Sequence, residues 1–214
     1  MKYDVIIVAS GKGERAKLGY NKAFFKMKDG RIVLERSASL FIEDEDCQNI
    51  IVVTSEDCLE QVFKNDKVIT TLGGKERKDS VANGLKKVTS DYVLIHDAAR
   101  PFLNIESLKE LKEEIERHNA AILAKKAIDT IKVVNEGKIE KTLDRNTIYL
   151  AETPQGFKTE LIKKCYSECE GKTFTDDASL LETLGYDVYI VEDKFNNRKL
   201  TSKEDFDNLW LMRL

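Results

Sequence analysis

Residues 3–9 (YDVIIVA) are apolar almost without interruption and end at Ser10-Gly11, the pattern of a strand buried on both faces of a parallel sheet. Similar runs stand at residues 49–54 (NIIVVT), 92–96 (YVLIH) and 120–124 (AAILA). Between them apolar residues recur at helical spacing near residues 34–42, 78–88 and 105–118, the last carrying the Glu and Lys of a solvated helix face. Strand and helix in alternation predict an α/β fold, a mostly parallel central sheet with helices on both sides.

The rhythm changes after Lys125. Residues 129–134 and 139–143 alternate apolar and polar positions on either side of Asn135-Glu136-Gly137-Lys138, which predicts a hairpin with a glycine turn. Neither limb is solidly apolar, so the hairpin is read as a β-arm projecting from the sheet, at about residues 129–147, with an edge that needs cover. A second copy of the chain covers it most simply, and a homodimer is expected. Helices resume at residues 158–168 and 176–184, followed by a strand at 187–191 and a last helix from Lys203. There is no internal repeat or low-complexity tract, and 214 residues suffice for one core, so a single domain over 1–214 is expected.

Composition narrows the chemistry. With 35 basic and 38 acidic residues the net charge is -3, which leaves no bulk positive field for a nucleic-acid backbone. A phosphorylated ligand would need local positive charge. The apolar run at the N-terminus falls short of a signal-peptide core or a membrane span, so a cytoplasmic protein with no membrane partner is expected. Cys47, Cys58, Cys165 and Cys169 form no CxxC pair, and His96 and His118 are the only histidines, which argues against a zinc or histidine-rich metal site. Chemistry must rest on Lys, Arg and Asp.

Three segments carry it. After the first strand comes Ala9-Ser10-Gly11-Lys12-Gly13-Glu14-Arg15, with Lys22 seven residues further on. Glycines here let the backbone approach phosphate oxygens, and Arg15 and Lys22 add fixed positive charge where a leaving pyrophosphate accumulates its own. The pattern is neither a Walker A loop nor a dinucleotide fingerprint, whose third glycine is replaced by Arg15, so a dinucleotide-dependent oxidoreductase is disfavoured. The bland alternative is a tight turn with solvated basic residues. The second segment, Gly73-Gly74-Lys75-Glu76-Arg77-Lys78-Asp79-Ser80, is a loop running into a helix, where main-chain donors and the Ser80 hydroxyl can read a base or ribose, or simply make a connection. The third is the strand end His96-Asp97-Ala98-Ala99-Arg100-Pro101. A carboxylate there faces the crevice where open α/β sheets bind ligands, and Asp97 is placed to hold a magnesium ion; Arg100 is either a ligand contact or its structural partner. Thr175 before two aspartates reads as a helix N-cap.

As a set, His96-Asp97-Ala98-Ala99-Arg100-Pro101 and Thr153-Pro154-Gln155, with the glycine loops and Lys199, resemble the 2-C-methyl-D-erythritol 4-phosphate cytidylyltransferase family from Val8 to about Asp205. The resemblance implies a Rossmann-like nucleotidyltransferase domain, a β-arm that interlocks a homodimer, and Mg²⁺ as cofactor. It implies catalytic roles for Arg15, Lys22, Arg145 and Lys199. CTP binding falls to Ala9, Ser10, Gly11, Gly13, Gly74, Lys75, Ser80 and Ala98 together with Arg15 and Lys22. Binding of the sugar-alcohol phosphate acceptor falls to Asp97, Ala98, Arg100, Asp129, Thr130, Arg145, Thr153, Thr175 and Lys199, with Asp97 near the metal and Arg145 reaching the other subunit's site. Asn21 stands where the family usually has Pro, Ser10 where it has Ala or Gly, Lys75 where an acid is common, and Arg198 where an aliphatic residue precedes Lys199. The competing readings are a ribitol 5-phosphate cytidylyltransferase and a noncatalytic nucleotide-binding module.

Overall fold

The computed structural model describes residues 1–11, 19–169, 171 and 173–209. Nine strands are found among them: β1 (Tyr3–Val8), β2 (Cys47–Thr54), β3 (Val68–Leu72), β4 (Tyr92–Asp97), β5 (Ala120–Lys126), β6 (Lys132–Asn135), β7 (Lys138–Thr142), β8 (Tyr149–Lys158) and β9 (Tyr189–Glu192). The helices are α1 (Val33–Glu43), α2 (Arg77–Leu85), α3 (Ile105–His118), α4 (Thr159–Glu168), α5 (Asp177–Thr183) and α6 (Lys203–Asn208). Seven strands form one sheet in the order β3-β2-β1-β4-β8-β5-β9. All neighbours are parallel except β8, which runs antiparallel to both β4 and β5.

The apolar runs are central strands, as their solid hydrophobicity requires, because helices cover both faces. On one face Val5 and Ile7 of β1 pack with Leu34, Phe41, Leu108 and Ile115 of α1 and α3. On the other, Ile6 packs with Val81 of α2, Ile162 of α4 and Leu181 of α5. Asn104 caps α3 by accepting from the Glu106 amide, and Asn119 ends it in the left-handed conformation at φ 67°.

Two strands stand where none was expected, and one expectation is corrected. β3 does not stand out as an apolar run: it is a five-residue edge strand whose side chains are mostly exposed. β8 falls on Glu152-Thr153-Pro154-Gln155, a polar stretch with a proline, yet it lies in the middle of the sheet. Its polar side chains are accommodated by specific buried partners, described below. The N-cap of α5 is Asp176, whose carboxylate accepts from the Ser179 amide; Thr175 is exposed beside it.

The predicted hairpin is a separate two-stranded sheet of β6 and β7, turning through Glu136 and Gly137, both at positive φ. Val134 and Ile139 are paired across it and more than half exposed.

Candidate functional site

From β1 the chain runs outward through β2 to β3 and then returns to place β4 on the other side of β1. This reversal opens a crevice beyond the carboxyl ends of β1 and β4. A cavity of about 840 Å³ occupies it, a size suited to a small-molecule ligand. Its walls are Val8 to Gly11 after β1, Asn21 to Ala23, Gly74 to Arg77 at the start of α2, Asp97 to Ala99 after β4, and Lys199 from the C-terminal segment.

Asp97 is the focus of charge. Lys199 Nζ donates to its Oδ2 at 2.6 Å, Arg77 Nε lies 3.6 Å from Oδ1, and Arg100 Nε lies 4.0 Å from Oδ2. Burial pushes the carboxyl up, but Lys199, Arg77 and Arg100 outweigh it and hold Asp97 well below the usual carboxylate range. Asp97 is therefore an anion at any physiological pH.

The carboxylate is also held from behind. The Asp97 amide donates to Thr153 Oγ1 at 3.0 Å, and Thr153 Oγ1 lies 3.1 Å from His96 Nδ1. His96 Nε2 faces the Arg100 carbonyl at 3.2 Å, which can only accept, so Nε2 carries the proton and Nδ1 accepts from the Thr153 hydroxyl. Burial pushes the imidazole down to about 4, so it is neutral and this tautomer is fixed. The polar residues of β8 thus complete a hydrogen-bond chain that anchors the end of β4.

Away from Asp97 the walls carry hydroxyls and amides. Ser10 Oγ lies 2.8 Å from Ser80 Oγ, which accepts from the Gly74 amide at 3.1 Å and donates to the Glu76 carbonyl at 3.1 Å. The Gly73 backbone comes so close that a Cβ there would sit 2.5 Å from the Ser10 Cβ. Asn21 braces the loop after β1, its amide donating to the Ala9 carbonyl and its Oδ1 accepting from the Ala23 amide. Lys22 Nζ donates to the Leu200 carbonyl at 2.6 Å. Lys199 and Arg77 gather at Asp97 on one side of the cavity, and Ser10, Asn21 and the Gly74 backbone supply hydrogen-bonding groups elsewhere on its walls.

The cavity therefore gathers Ala9, Ser10, Gly11, Lys22, Gly74, Lys75, Asp97, Ala98 and Lys199 from the sequence-predicted set. Ser80 lies buried behind Ser10, and Thr153 behind Asp97. Arg100 is buried and turns its guanidinium toward the Asn197 carbonyl and Glu152 rather than into the cavity. Asp129, Thr130 and Arg145 lie exposed at the arm, outside the cavity walls, with Arg145 Nη1 donating to the Ile128 carbonyl at 2.8 Å; Thr175 is outside them too. Gly13 and Arg15 lie outside the described residues. Sequence reasoning missed Arg77, which also pairs with buried Asp177 at 2.8 Å. Its place at the first turn of the helix entering the cavity, opposite a strand-end carboxylate, was the available signal.

The sequence profile of the 2-C-methyl-D-erythritol 4-phosphate cytidylyltransferase family matches residues 3–209. The chain belongs to this family. It is thus an enzyme, a nucleotidyltransferase, and the resemblance drawn from the strand-end and Thr-Pro-Gln motifs holds. The family member of Geobacillus thermodenitrificans is 40% identical over 96% of this chain and 94% of its own length. That of Halalkalibacterium halodurans is 38% identical over 96% and 94%. The crystal structure of the Francisella tularensis family member superposes with a TM-score of 0.85 at 31% identity, covering 99% of this chain and all of that one. The predicted α/β nucleotidyltransferase fold is borne out.

Proposed function

We propose that the chain joins CTP to 2-C-methyl-D-erythritol 4-phosphate, releasing pyrophosphate and forming 4-diphosphocytidyl-2-C-methyl-D-erythritol for isoprenoid-precursor synthesis. The observation that carries this reading is the convergence of Lys199 and Arg77 on the ionised Asp97 at the switch point of the sheet, in a cavity that Lys22 also lines. A nucleoside triphosphate and a sugar phosphate bring many negative charges into one cavity, and these cations match them. The walls formed by Ser10, backed by Ser80, and by the Gly74 backbone suit a base and ribose.

The reaction is an in-line displacement. An acceptor phosphate oxygen attacks the α-phosphorus of CTP, a new P–O bond forms, and the bond to the bridging oxygen of pyrophosphate breaks with its electron pair leaving on pyrophosphate. Lys22 stabilises the departing charge, and the amides after β1 hold the triphosphate. Arg15 has the same role by resemblance. Lys199, now engaged by Asp97, turns to the acceptor phosphate when that ligand enters. Thr153 and His96 keep Asp97 in place throughout.

Asp97 fits a magnesium ion: it is ionised, reaches the cavity and stands beside Lys199 and Arg77, where phosphates gather. Among the described residues no group of three acidic, His or Cys side chains forms a protein-only cage, which agrees with an ion that keeps waters and takes phosphate oxygens. Bound there, Mg²⁺ would neutralise phosphate charge and polarise the α-phosphorus.

The arm supports a homodimer in which Arg145, Asp129 and Thr130 serve the partner's acceptor site, because its apolar residues are exposed in the single chain. Among the described residues no helix is long and apolar enough to cross a membrane, and a cytoplasmic location accords with the family's soluble substrates.

The test is pyrophosphate release with CTP and Mg²⁺, offering methylerythritol phosphate and ribitol phosphate in parallel. The reading requires a strong preference for the former. Preference for ribitol phosphate assigns the sister activity, and release with neither makes the chain a nucleotide-binding module.

A further inference from the structure

Arg100 leads from Asp97 to a buried polar cluster whose other members lie outside the cavity walls. Glu152 of β8 and Asp193, just after β9, are both buried, and Asp193 is among the groups that push the Glu152 carboxyl up. Asp193 Oδ1 already accepts from Ser107 Oγ at 2.8 Å and the Phe195 amide at 2.9 Å. Its Oδ2 is buried, and among the described residues no donor reaches it. Two ionised carboxylates acting on each other inside the protein would repel, and a buried acceptor left unpaired is costly. Both problems disappear when Glu152 carries a proton and donates it to Asp193.

The rest of the cluster fixes the C-terminal segment. Arg100 Nη1 lies 3.5 Å from Glu152 Oε1 and donates to the Asn197 carbonyl at 2.7 Å. Asn197 Nδ2 donates to the Thr153 carbonyl at 2.8 Å and lies 3.4 Å from Glu152 Oε2. Three residues on, the Leu200 amide donates to the Ala99 carbonyl at 2.8 Å. Lys199 sits between these two anchors and meets Asp97.

We propose that protonated Glu152 and Asp193 form, with Arg100 and Asn197, a buried clasp whose task is to position Lys199, making Glu152 a positioning residue for the acceptor phosphate. The groups facing Glu152 are Arg100, Asp193 and Lys125, with Asn197 alongside. Burial first, and then Asp193, push its carboxyl up to about 7 against the pull of Arg100 and Lys125. The clasp is closed at and below neutral pH and loosens above it.

This inference rests on Lys199 serving the acceptor phosphate, so the experiment separates the two. Steady-state kinetics with CTP, Mg²⁺ and methylerythritol phosphate are measured between pH 6 and 8.5 for the wild type, Glu152→Gln, Glu152→Leu and Lys199→Ala. The Gln amide donates to Asp193 as the acid does but cannot ionise. In the wild type the acceptor KM is expected to climb several-fold more steeply above pH 7 than in Glu152→Gln; the acceptor's own phosphate titrates alike in both, so the difference isolates residue 152. Glu152→Leu should raise the acceptor KM about tenfold at every pH with kcat changed far less. Superimposable wild-type and Glu152→Gln profiles would overturn the clasp even if Glu152→Leu fails to fold. Infrared difference spectra give a readout without turnover: one protonated carboxyl should titrate near neutral pH and vanish in Glu152→Gln, and its absence from the wild type overturns the proposal as well. If Lys199→Ala leaves the acceptor KM unchanged, the role of Lys199 falls instead, and the infrared result still decides whether the proton is shared.

Discussion

A carboxylate that must stay ionised while buried is the central residue-scale problem of this protein, and Asp97 meets it with three cations and a hydrogen-bonded amide. Lys22 and Lys199, already held within the cavity, need only exchange their present oxygen partners for phosphate oxygens. Lys22→Ala is expected to lower kcat by at least ~100-fold, the effect of losing one preorganised transition-state donor; steady-state turnover near wild type would remove Lys22 from the reaction. Two buried groups set the pH response of folding. His96 has its pKa lowered to about 4 from 6.5, so its contribution is complete above pH 6.5 and is lost as pH falls toward 4. Glu152 is raised to about 7 from 4.5, so its contribution is complete below pH 4.5 and is lost as pH rises through 7. Each amounts to about 3 kcal/mol, and the two oppose each other across the same window. Urea unfolding of the wild type should therefore change little between pH 4.5 and 6.5, whereas Glu152→Gln should lose stability on acidification. An equally flat curve for the variant would refute this assignment. Asp97 and Lys22 were legible in the sequence because a strand end and a glycine turn mark such sites, whereas Lys199 was reached only through the family resemblance. Glu152 and Arg77 were not legible, because their meaning lies in partners remote along the chain, Asp193 and Asp97.

At the scale of elements, solid apolar runs revealed β1, β2, β4 and β5, and helical spacing revealed the helices that cover them. β8 escaped because a central antiparallel strand with Glu152, Thr153, Pro154 and Gln155 breaks the expected pattern. Gln155 shows how it is tolerated: its Oε1 accepts from the Asp177 and Ala178 amides at the start of α5, and its Nε2 donates to Asp176. Only tertiary partners make this polar stretch a buried strand. The same strand must lie close to α3, since a Cβ on Gly156 would come within 2.0 Å of Ile115 Cδ1 and 2.7 Å of Leu94 Cδ2. Gly156→Ala should destabilise the fold by ~1–3 kcal/mol through overpacking, measured as a lower urea midpoint. An unchanged midpoint would mean that α3 is free to retreat.

For the whole molecule, the sheet order places the cavity at a switch point, while the arm carries Arg145 away from it. The alternating limbs made the arm legible; what covers it was not, because a second chain leaves no mark in one sequence beyond exposed apolar positions. Substituting Lys at both Val134 and Ile139 should yield monomers in sedimentation and weaken acceptor use; a persistent dimer would show that the arm is not the contact. Mixing Lys22→Ala with Arg145→Ala after subunit exchange should restore about a quarter of wild-type activity, since half the dimers then carry one intact site of two. No recovery would mean that each site is built from one chain.

The central claim, transfer of the cytidylyl group from CTP to a sugar-alcohol phosphate, is tested most directly with CTP labelled at the α-phosphorus in the presence of Mg²⁺ and methylerythritol phosphate. The label should appear in a diphosphate-linked product, with one pyrophosphate released for each. Label recovered as CMP, or retained in CTP without pyrophosphate release, would contradict it.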